Sequence, residues 1–122
     1  MQRLILSTLL LLALVNPVMA ADPQVIEVIL DSYSITPDHI VVKVNEPVTL
    51  KVTNKATLTP HDLVIKAPEA GIDVAVDLRA GKSGEATFTP TRTGSYEMLC
   101  DKKLLFFKSH KDKGMHGVLV VE

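Results

Sequence analysis

Three side chains near the C-terminus are of types that bind soft metals. Cys100 is the single cysteine of the 122-residue chain, His110 follows ten positions on, and Met115 five beyond that. A thiolate, an imidazole and a thioether therefore sit on one loop. Sulfur donors combined with imidazole favour copper, with two imidazoles and a thiolate in a plane and the thioether as a weak axial donor. The loop supplies one imidazole, so a second must come from elsewhere. His61 is the best candidate, in Thr59-Pro60-His61-Asp62 at the mouth of the apolar run 63–65. His116 adjoins Met115 and is the alternative donor, although consecutive residues usually diverge in direction. His39, in Pro37-Asp38-His39, reads as a solvated turn residue.

Taken singly, each of these residues has a plainer reading. A lone cysteine is often a small core residue, and a lone methionine is core filler. The combination argues otherwise, and Gly114 and Gly117 around Met115 point to a tightly shaped loop. Phe106 and Phe107 read as core or as an apolar surface beside the metal. Lys102, Lys103, Lys108, Lys111 and Lys113 read as a solvated face or, concentrated on the ligand loop, as a docking ring.

The elements that must position these donors are short β-runs. Segments 25–30 (VIEVIL), 40–44 (IVVKV), 48–52 (VTLKV), 63–65, 74–78 (VAVDL), 85–89 (EATFT), 95–100 (SYEMLC) and 118–121 (VLVV) are rich in β-branched and alternating residues. Asn45-Glu46-Pro47, residues 80–84 and residues 90–94 read as turns. Seven to eight strands in about 100 residues predict an all-β Greek-key sandwich or barrel. No helical stripe stands out, except over residues 102–108. Sixteen residues without a clear strand separate Cys100 from Gly117, a loop long enough to be functional.

Residues 1–20 do not belong to that domain. Arg3 is followed by an almost unbroken apolar run over residues 4–15, then Pro17 and the small residues that end at Ala20. This is the layout of a cleaved secretory signal, and the run is short for a hydrocarbon core of about 30 Å. The expected organisation is a signal peptide at 1–20, an exported domain at 21–122, and a periplasmic location. Without Arg3 the domain carries 12 basic and 14 acidic side chains, which gives no sign of nucleic-acid binding. One cysteine cannot form an internal disulfide, and a lone thiol in an oxidising compartment must be buried or held.

At this point the chain resembles the cupredoxins, the family of plastocyanin, azurin and the type-1 domains of copper nitrite reductase. Ile35-Thr36-Pro37 followed by IVVKVNEPVTLKVTN resembles the family's second and third strands, with Asn45-Glu46 in place of the usual Gly-containing turn. Pro60-His61-Asp62 resembles the first-ligand turn. Tyr96 to Cys100, Ser109-His110, Gly114-Met115-His116-Gly117 and the final VLVVE resemble the ligand loop and last strand. The resemblance implies one type-1 copper ion on His61, Cys100, His110 and Met115. Its Cys-to-His spacing is closer to nitrite reductase than to plastocyanin. Two departures stand out: Asp62 where Asn is common, and the insertion 102–108. An aspartate there still offers an acceptor for backbone N–H groups near Cys100.

The first functional reading is a monomeric one-electron carrier with Cu(I)/Cu(II) chemistry, rather than an enzyme. Its redox partner would carry an acidic docking face. The second is an oxidase or accessory in ferrous-iron uptake, with Asp62, Asp101 and Asp112 as candidate carboxylates. The third is a copper store or carrier, weakened because only two methionines lie beyond residue 20. A binuclear copper centre would need two bridging cysteines.

Overall fold

The computed structural model describes residues 23–102 and 115–122. Nine strands occur among them: β1 (Gln24–Asp31), β2 (Ser34–Thr36), β3 (His39–Val42), β4 (Val48–Asn54), β5 (His61–Ala67), β6 (Ile72–Leu78), β7 (Ser83–Phe88), β8 (Gly94–Leu99) and β9 (His116–Val121). One sheet has the order β2-β1-β4-β7 and the other β3-β9-β8-β5-β6. The β1–β4 and β3–β9 pairs are parallel and the rest antiparallel, so both sheets are mixed, as crossing Greek-key connections require.

Alternation sets the packing. In β4 the side chains of Val48, Leu50 and Val52 point inward, and in β6 those of Ile72, Val74, Val76 and Leu78 do so. Leu30, Leu63, Ile65, Met98 and Leu119 complete a single core between the sheets, each fully buried. Such period-2 burial is what two apolar faces pressed together demand.

The expected all-β sandwich is the observed architecture, with one strand more than anticipated. The addition is β2, three residues long and paired with β1 across a turn in which Tyr33 adopts φ 61°. Tyr33 itself gives no turn signal, so the hairpin shows in the sequence only through Asp31 and Ser32. β5 starts two residues earlier than the apolar run and takes in His61. The segment 102–108 lies almost wholly outside the described residues.

The strands leave two unlike ends. His61, Leu78, Asn54 and Leu99 lie at one end, Ala67, Ile72, Val48 and Gly94 at the other, as the strand registers show. At the second end the chain is closed by backbone bonds: Val44 N–H to Glu122 C=O (2.8 Å), Asn45 N–H to Pro90 C=O (2.7 Å) and Thr91 N–H to Ala70 C=O (2.8 Å). The Tyr96 hydroxyl adds a bond to the Arg92 carbonyl at 2.9 Å, a corner that fixes the entry to β8.

Candidate metal centre

His61 and Cys100 meet at the first end. His61 opens β5 and Cys100 follows the last residue of β8, and both are fully buried. The His61 ring presents Nδ1 to the Cys100 sulfur at 3.8 Å. Met115, also fully buried, directly precedes β9, and its carbonyl accepts the Cys100 N–H at 3.1 Å. Three of the four residues expected as ligands therefore converge on one buried place. The fourth, His110, lies outside the described residues, as do Phe106, Phe107 and most of the lysines of the loop.

Alternation along β9 separates Met115 from its neighbour. Met115 points inward, whereas His116 is exposed and pairs with Leu99. His39 is likewise exposed, at the start of β3 rather than in a turn. Gly117 then comes so close to the residue before β3 that a Cβ there would collide with the Asp38 carbonyl oxygen. That same carbonyl accepts the Val118 N–H at 2.8 Å, which fixes the start of β9 and with it Met115.

Asp62 joins the two ligand segments. Its backbone N–H donates to the Cys100 sulfur at 3.4 Å, and its carboxylate accepts the Asp101 N–H at 2.7 Å. The departure from the family's usual Asn thus keeps the tie between the loops. Burial pushes the Cys100 thiol up to about 11; N–H groups of Asp62 and Lys102 oppose this, and the Asp62 carboxylate adds to it. Asp77 raises the pKa of the Lys102 ammonium through a direct ion pair.

The donor set fits a copper ion. Metal bonds to imidazole nitrogen and thiolate sulfur run to about 2.0–2.1 Å and 2.3 Å in zinc sites of like size. The 3.8 Å separation is shorter than the sum of those lengths, so one ion would be within bonding reach of both atoms. Among the described residues no three His, Cys, Asp or Glu side chains form a metal cluster.

The sequence reading missed Asn54. This fully buried side chain donates to the Thr59 carbonyl at 3.0 Å and the Leu78 carbonyl at 3.1 Å, and accepts the Ala56 N–H at 2.9 Å. It shapes the turn that delivers His61 and ties it to the end of β6. The signal was present: β4 alternates inward at 48, 50 and 52, so residue 54 faces inward too, and a polar residue there must bond to something.

The model of the cupredoxin-like domain matches residues 4–121. The chain belongs to the cupredoxin-like family. The dithionite-reduced auracyanin of Roseiflexus castenholzii is similar, with a TM-score of 0.66 at 23% identity, over 81% of this chain and 97% of that one. Auracyanin A of Chloroflexus aurantiacus, described as a "blue" copper protein, gives 0.63 at 19% identity, over 83% and 100%. The periplasmic domain of cytochrome oxidase subunit II of Bradyrhizobium japonicum gives 0.62 at 18%, over 85% and 88%. At these identities the likeness establishes the fold. A comparison of the sequence with curated proteins finds no match.

Proposed function

We propose that this chain is an exported, mononuclear type-1 copper protein that acts as a one-electron carrier. The observation that carries the reading is the 3.8 Å approach of His61 Nδ1 to Cys100 Sγ in a buried site, with Met115 buried alongside. His110 is the proposed fourth ligand. When bound, copper supplies reversible Cu(I)/Cu(II) chemistry. The chain's part is to hold the donors nearly still, because a site that does not rearrange loses little energy on each transfer. His61 is held in the β5 ladder, Cys100 by the Met115 carbonyl, and Met115 by the close β3–β9 approach. Burial excludes water from the thiolate and protects it from oxidation.

Export and a periplasmic location are proposed from residues 1–20, and no helix of the described residues is long and apolar enough to cross a membrane. The lysines between Lys102 and Lys113 support a partner with an acidic docking face. The ferrous-iron reading gains nothing at Asp62, whose carboxylate is engaged by the Asp101 N–H.

The test is copper loading. The oxidised protein should absorb strongly in the visible, with one copper per chain by metal analysis, and Cys100→Ser should abolish the band while the fold survives. A copper-loaded, oxidised wild type without colour rules the type-1 centre out.

A further inference from the structure

Two histidines lie outside the buried centre, on the outer face of the five-stranded sheet. His39 opens β3 and His116 opens β9. These strands are adjacent and parallel, with His39 opposite Val118. His116, two residues earlier on β9, is therefore the diagonal neighbour of His39. Both side chains face solvent: Ile40 beside His39 and Met115 beside His116 are buried, whereas the two histidines are exposed. No hydrogen bond or ion pair to another described residue occupies either imidazole.

Strands about 4.8 Å apart, with a rise of about 3.3 Å per residue, put the two Cα atoms about 8 Å from each other. Aromatic-sized side chains still meet across such a diagonal. One metal ion bonded to both rings spans about 4 Å of the gap, at about 2.0–2.1 Å per imidazole bond, and the rings cover the rest. The two strand starts are also locked together. The Val118 N–H donates to the Asp38 carbonyl at 2.8 Å, and the missing side chain of Gly117 lets that carbonyl approach. Donors held on such a frame lose little freedom when they bind. Imidazole suits copper, zinc, nickel and iron, and among divalent first-row ions affinity peaks at Cu(II). Glu97, exposed and opposite Val118 on β8, adds negative charge to the same face. No third His, Cys, Asp or Glu completes a cluster among the described residues, so water would fill the other positions.

We propose that His39 and His116 form a second metal site, on the outer face of β3 and β9, that holds one Cu(II) ion through both imidazoles. It is separate from the buried centre, since Met115 faces the core and His116 the solvent at the start of the same strand. It does not need Cys100. Two imidazoles on one rigid face act as a linked pair, because the second bond forms within the molecule.

The experiment uses Cys100→Ser, in which the thiolate of the buried centre is gone. Zinc is added to the metal-free protein, and the ring signals of His39 and His116 are followed by NMR. Both should shift along one binding curve. His39→Ala should move the His116 curve to higher zinc by on the order of a hundredfold, and His116→Ala should do the same to His39. Cu(II) added in equal amount should then displace the zinc and broaden both rings. If Cys100→Ser does not fold, wild type read at the same two rings gives the same answer, once the buried centre has taken its own zinc. Separate curves for the two rings, or a His116 curve that ignores His39→Ala, overturn the shared site. Zinc that Cu(II) fails to displace overturns the assignment to copper. The buried centre has its own test in the visible band of the copper-loaded wild type, so either site can fail without the other.

Discussion

The two ends of the sandwich differ in how deeply the side chains that hold them are buried. At the closed end, backbone N–H groups meet backbone carbonyls, as in Val44 to Glu122 and Thr91 to Ala70, and the exposed side chains of Gln24 and Tyr96 bond the backbone of Lys43 and Arg92. At the metal end, side chains do much of this work: Asn54 bonds three backbone groups, Asp62 one, and Lys102 reaches Asp77. The two polar residues buried among the described residues, Asn54 and His61, are both at the metal end. Backbone bonds tolerate many side chains, so where they hold the closed end the demand on sequence is small. The metal end must hold irregular segments in one geometry, which takes particular residues at particular places.

The largest effect should come from Asn54→Ala. It strands the buried Leu78 carbonyl, the part-buried Thr59 carbonyl and the Ala56 N–H, for a loss of about 3 kcal/mol in chemical unfolding. It should also weaken copper binding, because the turn before His61 loses its anchor. Unaltered copper affinity would mean that β5 alone places His61.

Gly71→Ala is the counterpart at the closed end. Gly71 has φ 72°, and a Cβ there would lie 2.7 Å from the Thr89 carbonyl oxygen. The expected cost is about 2 kcal/mol with no change in the copper spectrum. A spectral change would show that the two ends are coupled through the core.

A pH dependence should single out the metal end. In the metal-free fold the Cys100 thiol is raised from 9.0 to about 11, so the folded state binds that proton more tightly than the unfolded chain does. The stabilisation is complete below pH 9.0 and is lost as the pH rises through about 11. Metal-free Cys100→Ser should lack that part of the decline in thermal unfolding. Identical pH profiles would place the thiol in a more polar setting.

The smallest effect concerns the lysines that lie between Cys100 and Met115 in the sequence. Changing Lys108 and Lys111 to Glu should slow electron transfer to an acidic partner severalfold at low salt and leave the copper spectrum alone. Added salt should erase the difference, since a steering field fades as the Debye length shortens to ~10 Å and below. A rate indifferent to both changes would make these lysines a solvated face.

Much of the architecture was legible in the residues themselves. Period-2 alternation in 48–52 and 74–78 marks strands buried on one face, because a strand turns successive side chains to opposite sides. The chemical types of Cys100, His61 and Met115 are those of soft-metal donors. Asn45 at φ 61° also follows from its type, since Asn is among the few residues that accept a left-handed turn. Only the tertiary structure shows that Met115 is buried and His116 exposed, because their directions depend on where β9 begins. It alone could bring His61 within 3.8 Å of Cys100, thirty-nine positions away in the chain. The pairing of Lys102 with Asp77 was hidden for the same reason. Local sequence patterns report which way a side chain faces, whereas its partner is set by strands that the chain reaches only after crossing between sheets.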